Sequence, residues 1–160
     1  MTVLSVNLNK VALLRNSREG QRPNVIEFAR LAIAAGAGGI TVHPRPDQRH
    51  VRASDVPALA TMLKAEYPHI EFNIEGNPVA DANAGGYPGF IPLIKAVGPA
   101  QATLVPDSDD QLTSDHGWDL SVAQPQLRAH IEACQQAGAR VSLFMDPVVE
   151  HMAIAADYGA

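Results

Sequence analysis

Short apolar segments alternate with helical patterns five times along this chain, and this alternation constrains its fold more than any other feature. The segments predicted to be strands are Val3–Leu8, Gly39–Val42, Ile70–Ile74, Ala102–Val105 and Arg140–Phe144. Their starts lie about 30–40 residues apart, the length of a strand–helix–strand unit. The alternation predicts an α/β protein with helices packed on a parallel sheet.

Each predicted strand is followed by one helical pattern. The first helix is predicted to begin at Asn24, with Glu27 completing a capping-box pair, and to end near Gly36. The second predicted helix follows Ser54. The remaining three run from Phe90 to Val97, from Val122 to Ala137 and from Val148 to Tyr158. We interpret the segment from Asn7 to Arg18 as a polar turn.

Five units fit two architectures, an open doubly wound sheet and part of a (β/α)₈ barrel, and the pattern alone does not choose between them. No linker or low-complexity segment divides residues 1–160, so we predict a single domain. In both architectures the functional site forms where the strands end. Polar residues after the strands are therefore the candidates for function.

Composition excludes several classes of protein. With 46% apolar and 18% charged residues, the chain is typical of globular proteins and not of disordered ones. A net charge of −5 without a basic cluster argues against nucleic-acid binding, although a few arginines suffice for a small phosphorylated ligand. No apolar stretch is long enough to span a membrane, and the start lacks a signal-peptide pattern, so we predict a cytoplasmic protein. The single cysteine, Cys134, lies on an apolar helical stripe and is predicted to be a buried thiol.

The loop after the second strand is the most informative segment for function. The strand ends directly in His43, whose imidazole can exchange protons near neutral pH. Arg45 lies between two prolines that restrict its backbone, and Arg49 and His50 follow. Together these side chains predict a site for a phosphate monoester.

The third strand predicts a carboxylate at the same end of the sheet. If Ile74 faces the helices, alternation directs Asn73 and Glu75 to the opposite face. A partly desolvated Glu75 has a raised pKa, suited to general acid–base catalysis. The alternative is a structural ion pair.

Other strand-end loops carry weaker signals. After the first strand, Asn7 and Asn9 are candidates to orient a ligand, with Arg18 or Arg15 binding an anion. The segment Thr113–Asp119 has the composition of a mobile loop, although a helix-capping turn before Val122 explains Asp119 and Ser121 equally well. Asp146 is predicted to cap the last helix. No metal-ligand spacing or nucleotide-binding fingerprint is present, so we predict no metal and no bound cofactor.

The ordered set of strand-end segments resembles the pyridoxine 5′-phosphate synthase family. The segments are Ser5-Val6-Asn7, Leu14-Arg15-Asn16, Gly39-Ile40-Thr41-Val42-His43-Pro44-Arg45, Arg49-His50, Asn73-Ile74-Glu75, Leu104-Val105-Pro106, Leu112-Thr113 and Ser142-Leu143-Phe144. The resemblance covers nearly all of the chain, and the block from His43 to His50 followed by Asn73-Ile74-Glu75 is its most specific part.

The resemblance implies a (β/α)₈ TIM barrel that forms homo-oligomers. It implies condensation of 1-deoxy-D-xylulose 5-phosphate with 3-amino-2-oxopropyl phosphate, with release of inorganic phosphate and water. Its implied site residues are His43 and Glu75 for proton transfer, Arg45 and His50 for the deoxyxylulose phosphate, Asn7 and Arg18 for the amino-ketone phosphate or its product, and Thr113 for substrate contact.

The chain departs from the family at two points. Asn9-Lys10 stand where many members have Asp-His, so roles at those positions do not transfer. A complete barrel of this type has about 250 residues. We therefore expect about five β/α units of an unclosed barrel, an exposed apolar barrel-facing surface, and no activity from these residues alone.

Two other functions stay open from the residues. Another phosphate-binding TIM-barrel aldolase or isomerase would use Arg45 and Glu75 similarly, but it would need a Schiff-base lysine at a strand end. A flavodoxin-like, non-enzymatic binding module also suits five β/α units, although the basic loop after the second strand counts against it.

Overall fold

The computed structural model describes residues 2–108 and 111–160, which form five strands and six helices. The strands are β1 (Ser5–Asn7), β2 (Gly39–Val42), β3 (Glu71–Gly76), β4 (Gln101–Leu104) and β5 (Arg140–Leu143). The helices are α1 (Asn9–Asn16), α2 (Val25–Ala34), α3 (Asp55–Glu66), α4 (Phe90–Val97), α5 (Leu127–Gln136) and α6 (Val149–Tyr158).

The sheet is parallel throughout, and its strand order is the chain order, β1-β2-β3-β4-β5. A doubly wound sheet reverses direction at a switch point, and no reversal occurs among the described strands. Because parallel crossovers are right-handed, successive steps in one direction put all the helices on one face. Consecutive helices from α1 to α6 indeed contact one another in order. The fold is therefore of the partial TIM-barrel type, and within the described residues β1 and β5 do not pair to close it.

The two faces of the sheet differ sharply in polarity. Toward the helices, Ile40, Val42, Ile74 and Leu104 are completely buried. The opposite, barrel-facing side carries polar residues at the alternate positions: Ser5, Asn7, Thr41, Glu71, Asn73, Glu75, Gln101, Thr103, Arg140 and Ser142. The prediction of an apolar barrel-facing surface is thus wrong, because these short strands place their apolar residues only toward the helices.

Hydrogen bonds connect the polar side chains across four strands. The Ser5 and Thr41 hydroxyls lie 2.7 Å apart, and Asn73 Nδ2 donates to Thr41 Oγ1 over 3.3 Å. Thr103 Oγ1 donates to Asn73 Oδ1 over 2.9 Å, and Gln101 Nε2 donates to Thr103 over 3.2 Å. We call Ser5, Thr41, Asn73, Thr103 and Gln101 the polar ladder. It satisfies hydroxyl and amide groups that would otherwise be costly to bury.

The helix predictions are mostly confirmed, with three corrections. The segment interpreted as a polar turn contains α1, whose polar sequence hides its helical character. The helix predicted from Val122 to Ala137 is α5, which begins at Leu127. Asp119 Oδ1 accepts the backbone N–H of Ser121 over 2.9 Å and holds a turn where the helix was expected to begin. Asp146 does not cap α6, since the N-cap residue is Val148 and no side chain caps that helix.

Local signals at the other helix ends work as predicted. Asn24 Oδ1 accepts the backbone N–H groups of Ile26 and Glu27, so Asn24 caps α2. Gly98 ends α4 with the left-handed conformation that glycine adopts most easily. In α5, Cys134 is completely buried, and burial raises the pKa of its thiol to about 11. The thiol is therefore a protonated core group, as predicted. No helix in the described part of the chain combines the length and apolar character needed to cross a membrane.

Candidate active site

Polar side chains from the first four strands converge at the carboxyl end of the sheet. At its centre, Asn7 Nδ2 donates a 3.1 Å hydrogen bond to Glu75 Oε2. Asn7 is the last residue of β1, and Glu75 lies near the end of β3. The hydrogen bond therefore crosses β2, the strand between them. Asn7 Oδ1 accepts the backbone N–H of Asn9 over 2.8 Å. The start of α1 therefore fixes the orientation of the Asn7 amide and leaves its N–H₂ for Glu75.

Glu75 has the protonation behaviour of a general acid–base group. Desolvation raises its pKa to about 7, and the nearby Asp107 charge acts in the same direction. The hydrogen bond from Asn7 opposes this rise because it stabilises the carboxylate. Near neutral pH, Glu75 is thus present in both protonation states and can either donate or accept a proton.

His43 follows β2 directly and is only 6% exposed. Its backbone N–H donates to Asn9 Oδ1 over 2.8 Å, so α1 also fixes the end of β2. Desolvation, together with the positive charges of Arg45, a charged His50 and Arg49, lowers the pKa of the imidazole to about 3. Without a ligand, His43 is therefore a neutral imidazole at pH 7.

Arg45 is buried in an ion pair that the sequence analysis did not predict. Its Nη2 contacts Asp107 Oδ2 at short range, and both residues are about 5% exposed. Ser114 Oγ donates to the same carboxylate oxygen over 2.7 Å, and Arg45 Nη1 donates to the Gln111 carbonyl over 2.9 Å. His43 Nε2 lies 3.9 Å from Asp107 Oδ2, beyond hydrogen-bond distance. Arg45, Asp107 and His43 thus form one buried cluster.

A cavity of about 220 Å³ opens beside this cluster. Its walls come from the loops after β2, β3 and β4: His43, Arg45, Pro46, Asp47, Arg49, Asn77, Asn83, Asp107 and Ser108. Asn83 donates to the Pro46 carbonyl over 2.8 Å and so ties the loop after β3 to the loop after β2. A larger cleft of about 400 Å³ lies between α3 and α4 at the opposite end of the strands, away from these groups.

The loop that carries His50 is anchored by α1. Arg15 forms a two-point ion pair with Asp55, at 2.7 and 2.9 Å, and donates to the His50 carbonyl over 3.1 Å. Asn16 Nδ2 donates to the same carbonyl over 2.7 Å. Arg15 is therefore a structural residue, and Arg18 is the anion-binding candidate that remains. Within this anchored loop, the His50 and His43 rings meet edge-on with centroids 6.2 Å apart, and desolvation lowers the pKa of His50 to about 4.

Two predicted site residues are not brought into this cluster. Arg18 and Thr113 are exposed and make no side-chain hydrogen bond to any residue in 2–108 or 111–160. Arg49 is partly used within the protein, since it pairs with Asp47 at 2.5 Å and donates to the Leu112 carbonyl over 2.9 Å.

Asp107 is the site residue that the sequence analysis overlooked. It lies three residues past the end of β4, a position comparable to that of His43 and Arg45 after β2. An acidic residue two positions after the buried Leu104-Val105 segment was a usable signal. No set of three or more His, Cys, Asp or Glu side chains in the described ranges could hold a metal ion.

Comparison with known proteins agrees with this geometry. Residues 4–160 match the sequence profile of the family described as "Pyridoxal phosphate biosynthesis protein PdxJ". A pyridoxine 5′-phosphate synthase of Xanthomonas campestris pv. campestris (strain B100) is 57% identical over 159 residues, which are 99% of this chain and 61% of that protein. Another with the same name, from Xylella fastidiosa (strain M12), is 53% identical over 158 residues, covering 99% of this chain and 60% of the relative.

The chain thus spans about three fifths of the length of the curated relatives that it matches. The match runs through β1 to β5 and includes every residue of the cluster around His43 and Glu75. On this evidence, the chain belongs to the PdxJ family of pyridoxal phosphate biosynthesis proteins.

Proposed function

We propose that these residues supply part of the active site of a pyridoxine 5′-phosphate synthase. The reaction condenses 1-deoxy-D-xylulose 5-phosphate with 3-amino-2-oxopropyl phosphate and releases inorganic phosphate and water. Family membership supports this proposal. The structural observation that carries it is Glu75, a desolvated carboxyl group with a pKa of about 7 at the carboxyl end of a barrel strand.

Glu75 and His43 supply the proton transfers in this proposal. Loss of water from a carbinolamine needs a proton at the leaving hydroxyl, and the following steps need a base to remove a proton from carbon. Glu75 can serve in both directions because its pKa lies near neutral pH. His43 is neutral at that pH and accepts a proton when a bound anion stabilises the imidazolium.

The anionic groups of the substrates are assigned to the basic side chains. Arg45, which lines the 220 Å³ cavity, and His50 hold the deoxyxylulose phosphate. Asn7 and Arg18 bind the amino-ketone phosphate or the product, and Thr113 contacts substrate from the loop after β4. The exposure of Arg18 and Thr113 is compatible with roles that begin only when a ligand is present.

A Schiff-base aldolase receives no support from the lysines. Lys10, Lys64 and Lys95 lie on α1, α3 and α4, and none lies on a strand. The flavodoxin-like alternative loses its basis with the sequential strand order.

The proposal is tested by replacing the matching segment of the Xanthomonas campestris relative with residues 2–160 of this chain. We expect the chimera to form pyridoxine 5′-phosphate from both phosphorylated substrates within about tenfold of the relative's rate. In the chimera, Glu75→Gln should lower kcat by about 10²–10⁴-fold with little change in KM.

Glu71→Gln is the matched control, because Glu71 lies on the same strand and face but at the opposite end, where it pairs with Arg140 at 2.9 Å. It should leave kcat unchanged. A folded chimera without product, or normal turnover by the Glu75→Gln chimera, contradicts the proposal.

The proposal includes a cytoplasmic homo-oligomer. Phe28 and Leu31 are 40% and 61% exposed on one side of α2 and supply an apolar surface for self-association. Sedimentation of the chimera and of its Leu31→Glu variant tests this part, since the variant should sediment more slowly.

A further inference from the structure

Asp107 holds the guanidinium group that the proposed function assigns to a substrate phosphate. Arg45 Nη2 contacts Asp107 Oδ2, so the charge that should attract an anion is already neutralised by a buried carboxylate. Ser114 Oγ fixes the same oxygen over 2.7 Å, and Asn77 Nδ2 donates to the Asp107 backbone carbonyl over 2.6 Å. An anion that binds Arg45 must therefore compete with Asp107.

The carboxylate also has an unused acceptor. Asp107 Oδ1 is fully buried and has no hydrogen-bond partner within residues 2–108 and 111–160. Buried carboxylate oxygens are rarely left unpaired, because each has lost its hydration. Asp107 thus receives two donors at Oδ2 and none at Oδ1. A small rotation of this carboxylate can therefore exchange one hydrogen-bond partner for another.

His43 is the partner within reach. Its Nε2 lies 3.9 Å from Asp107 Oδ2, and its ring makes no side-chain hydrogen bond to any other described residue. A rotation of the carboxylate that shortens this distance by about 1 Å would bring the pair into the 2.6–3.2 Å range of a hydrogen bond. A phosphate at Arg45 would repel Asp107 and favour that rotation.

We propose that Asp107 is a positioning residue with two partners: it pairs with Arg45 in the ligand-free site and turns to His43 Nε2 when a phosphate group occupies Arg45. The exchange couples substrate binding to the activation of His43. A carboxylate at Nε2 fixes the imidazole tautomer and stabilises the imidazolium, as an acidic partner does for a catalytic histidine generally. The inference rests on the proposed function only in assigning Arg45 to a substrate phosphate.

Charged side chains surround His43, and the proposed exchange of partners moves only one carboxylate among them, that of Asp107. Arg45, Arg49 and Asp47 lie in its own loop, His50 follows in the same loop, and Asp107 reaches it from the loop after β4. Removal of Asp107 must therefore be compared with removal of an equal charge that does not contact Arg45.

The test uses the 160-residue chain, inorganic phosphate as the ligand, and NMR titration of the His43 ring. In the unaltered chain, phosphate binding should raise the pKa of His43 from its low ligand-free value. Asp107→Asn should tighten phosphate binding by about fivefold or more, because the competitor for Arg45 is gone. The same variant should show a smaller phosphate-induced rise in the His43 pKa.

Asp47→Asn is the matched control, since it removes one carboxylate from the same cavity wall but leaves the Arg45–Asp107 pair intact. It should not reduce the phosphate-induced rise. Ser114→Ala is a second test if Asp107→Asn does not fold. It keeps the carboxylate but removes the hydroxyl that fixes Oδ2 over 2.7 Å, so Asp107 can turn away from Arg45 more easily and phosphate binding should also tighten, to a smaller extent.

Weaker or equal phosphate binding by both variants would overturn the inference and leave the proposed function standing. Absence of phosphate binding by every form would contradict the assignment of Arg45 as well. Because these readouts need no turnover, an inactive chimera would count against the proposed function alone.

Discussion

Asn7 on β1 and Glu75 on β3 are joined by a 3.1 Å hydrogen bond that passes across the intervening strand at the carboxyl end of the sheet. The bond stabilises the ionised carboxyl group, whereas desolvation and the Asp107 charge favour the neutral one. Desolvation prevails, and the pKa comes to about 7. Asn7 therefore limits the rise in the Glu75 pKa, whatever its contact with substrate.

Asn7→Ala should raise the pKa of Glu75 above about 7, because it removes the group that stabilises the carboxylate. The measurement is an NMR titration of the Glu75 carboxyl carbon in the ligand-free chain. Asn73→Ala is the matched control, since Asn73 is also a barrel-facing asparagine but bonds Thr41 and Thr103 instead. A fall in the Glu75 pKa on Asn7→Ala would contradict this account.

Thr41→Val should destabilise the fold by about 1–3 kcal/mol, although the two side chains are nearly equal in volume. Thr41 Oγ1 is the shared partner of Ser5 and Asn73 in the polar ladder, and Thr41 is buried. The substitution leaves two polar groups with fewer partners. Urea unfolding gives the free energy, and the exposed Thr61→Val, which loses only a bond within α3, should have little effect. Equal losses for both variants would mean that the ladder adds nothing.

Arg15→Met should cost about 3–5 kcal/mol of unfolding free energy, because it leaves the Asp55 carboxylate without its charged partner and removes one of the side-chain donors to the His50 carbonyl. Arg30→Met is the comparison. Arg30 pairs with Glu66 at 2.6 Å, but both side chains are more than 40% exposed, so water compensates for the loss. Similar free energies of unfolding for the two variants would refute the structural role of Arg15.

The sequence predicted the five strands and most of the helices because the helix-facing positions carry the apolar signal. Ile40, Val42 and Ile74 mark their strands plainly, and Asn24 and Gly98 mark helix ends through local chemistry. The choice of a barrel over a doubly wound sheet needed the strand order, which no local pattern contains. The helix α1 was missed because its buried residues, Ala12 and Arg15, do not form an apolar stripe.

The candidate site was only partly predictable for a similar reason. Alternation on β3 predicted the direction of Glu75, and the end of β2 predicted His43. The pairing of Arg45 with Asp107 joins residues 62 positions apart in loops, where no periodicity applies. Arg15 was assigned as an anion-binding candidate because its partner, Asp55, begins α3, 40 residues later, and cannot be identified from the local sequence.

The unfolding free energy should depend on pH through the buried His43 and the half-buried His50 and Glu75, with the histidines and the glutamate acting in opposite directions. Folding lowers the pKa of His43 from 6.5 to about 3 and that of His50 from 6.5 to about 4. As the pH falls below 6.5, the two histidines bind protons in the unfolded chain but stay neutral in the folded chain. The unfolding free energy therefore falls. Folding raises the pKa of Glu75 from 4.5 to about 7, so its contribution is lost as the pH rises from 4.5 to 7.

Between pH 6.5 and 4.5, acidification thus lowers stability through the two histidines and raises it through Glu75. The net loss is at most about 1.4 kcal/mol per pH unit, because solvent screens the half-buried His50. Glu75→Gln should remove the compensating gain, so stability should fall about twice as steeply over that range. His43→Asn should instead flatten the curve, whereas the exposed His69→Asn should leave it unchanged. Urea midpoints measured between pH 4 and 7 decide the matter. Parallel curves for Glu75→Gln and the unaltered chain would mean that Glu75 is ionised in the folded state at pH 6, which would remove it as a general acid.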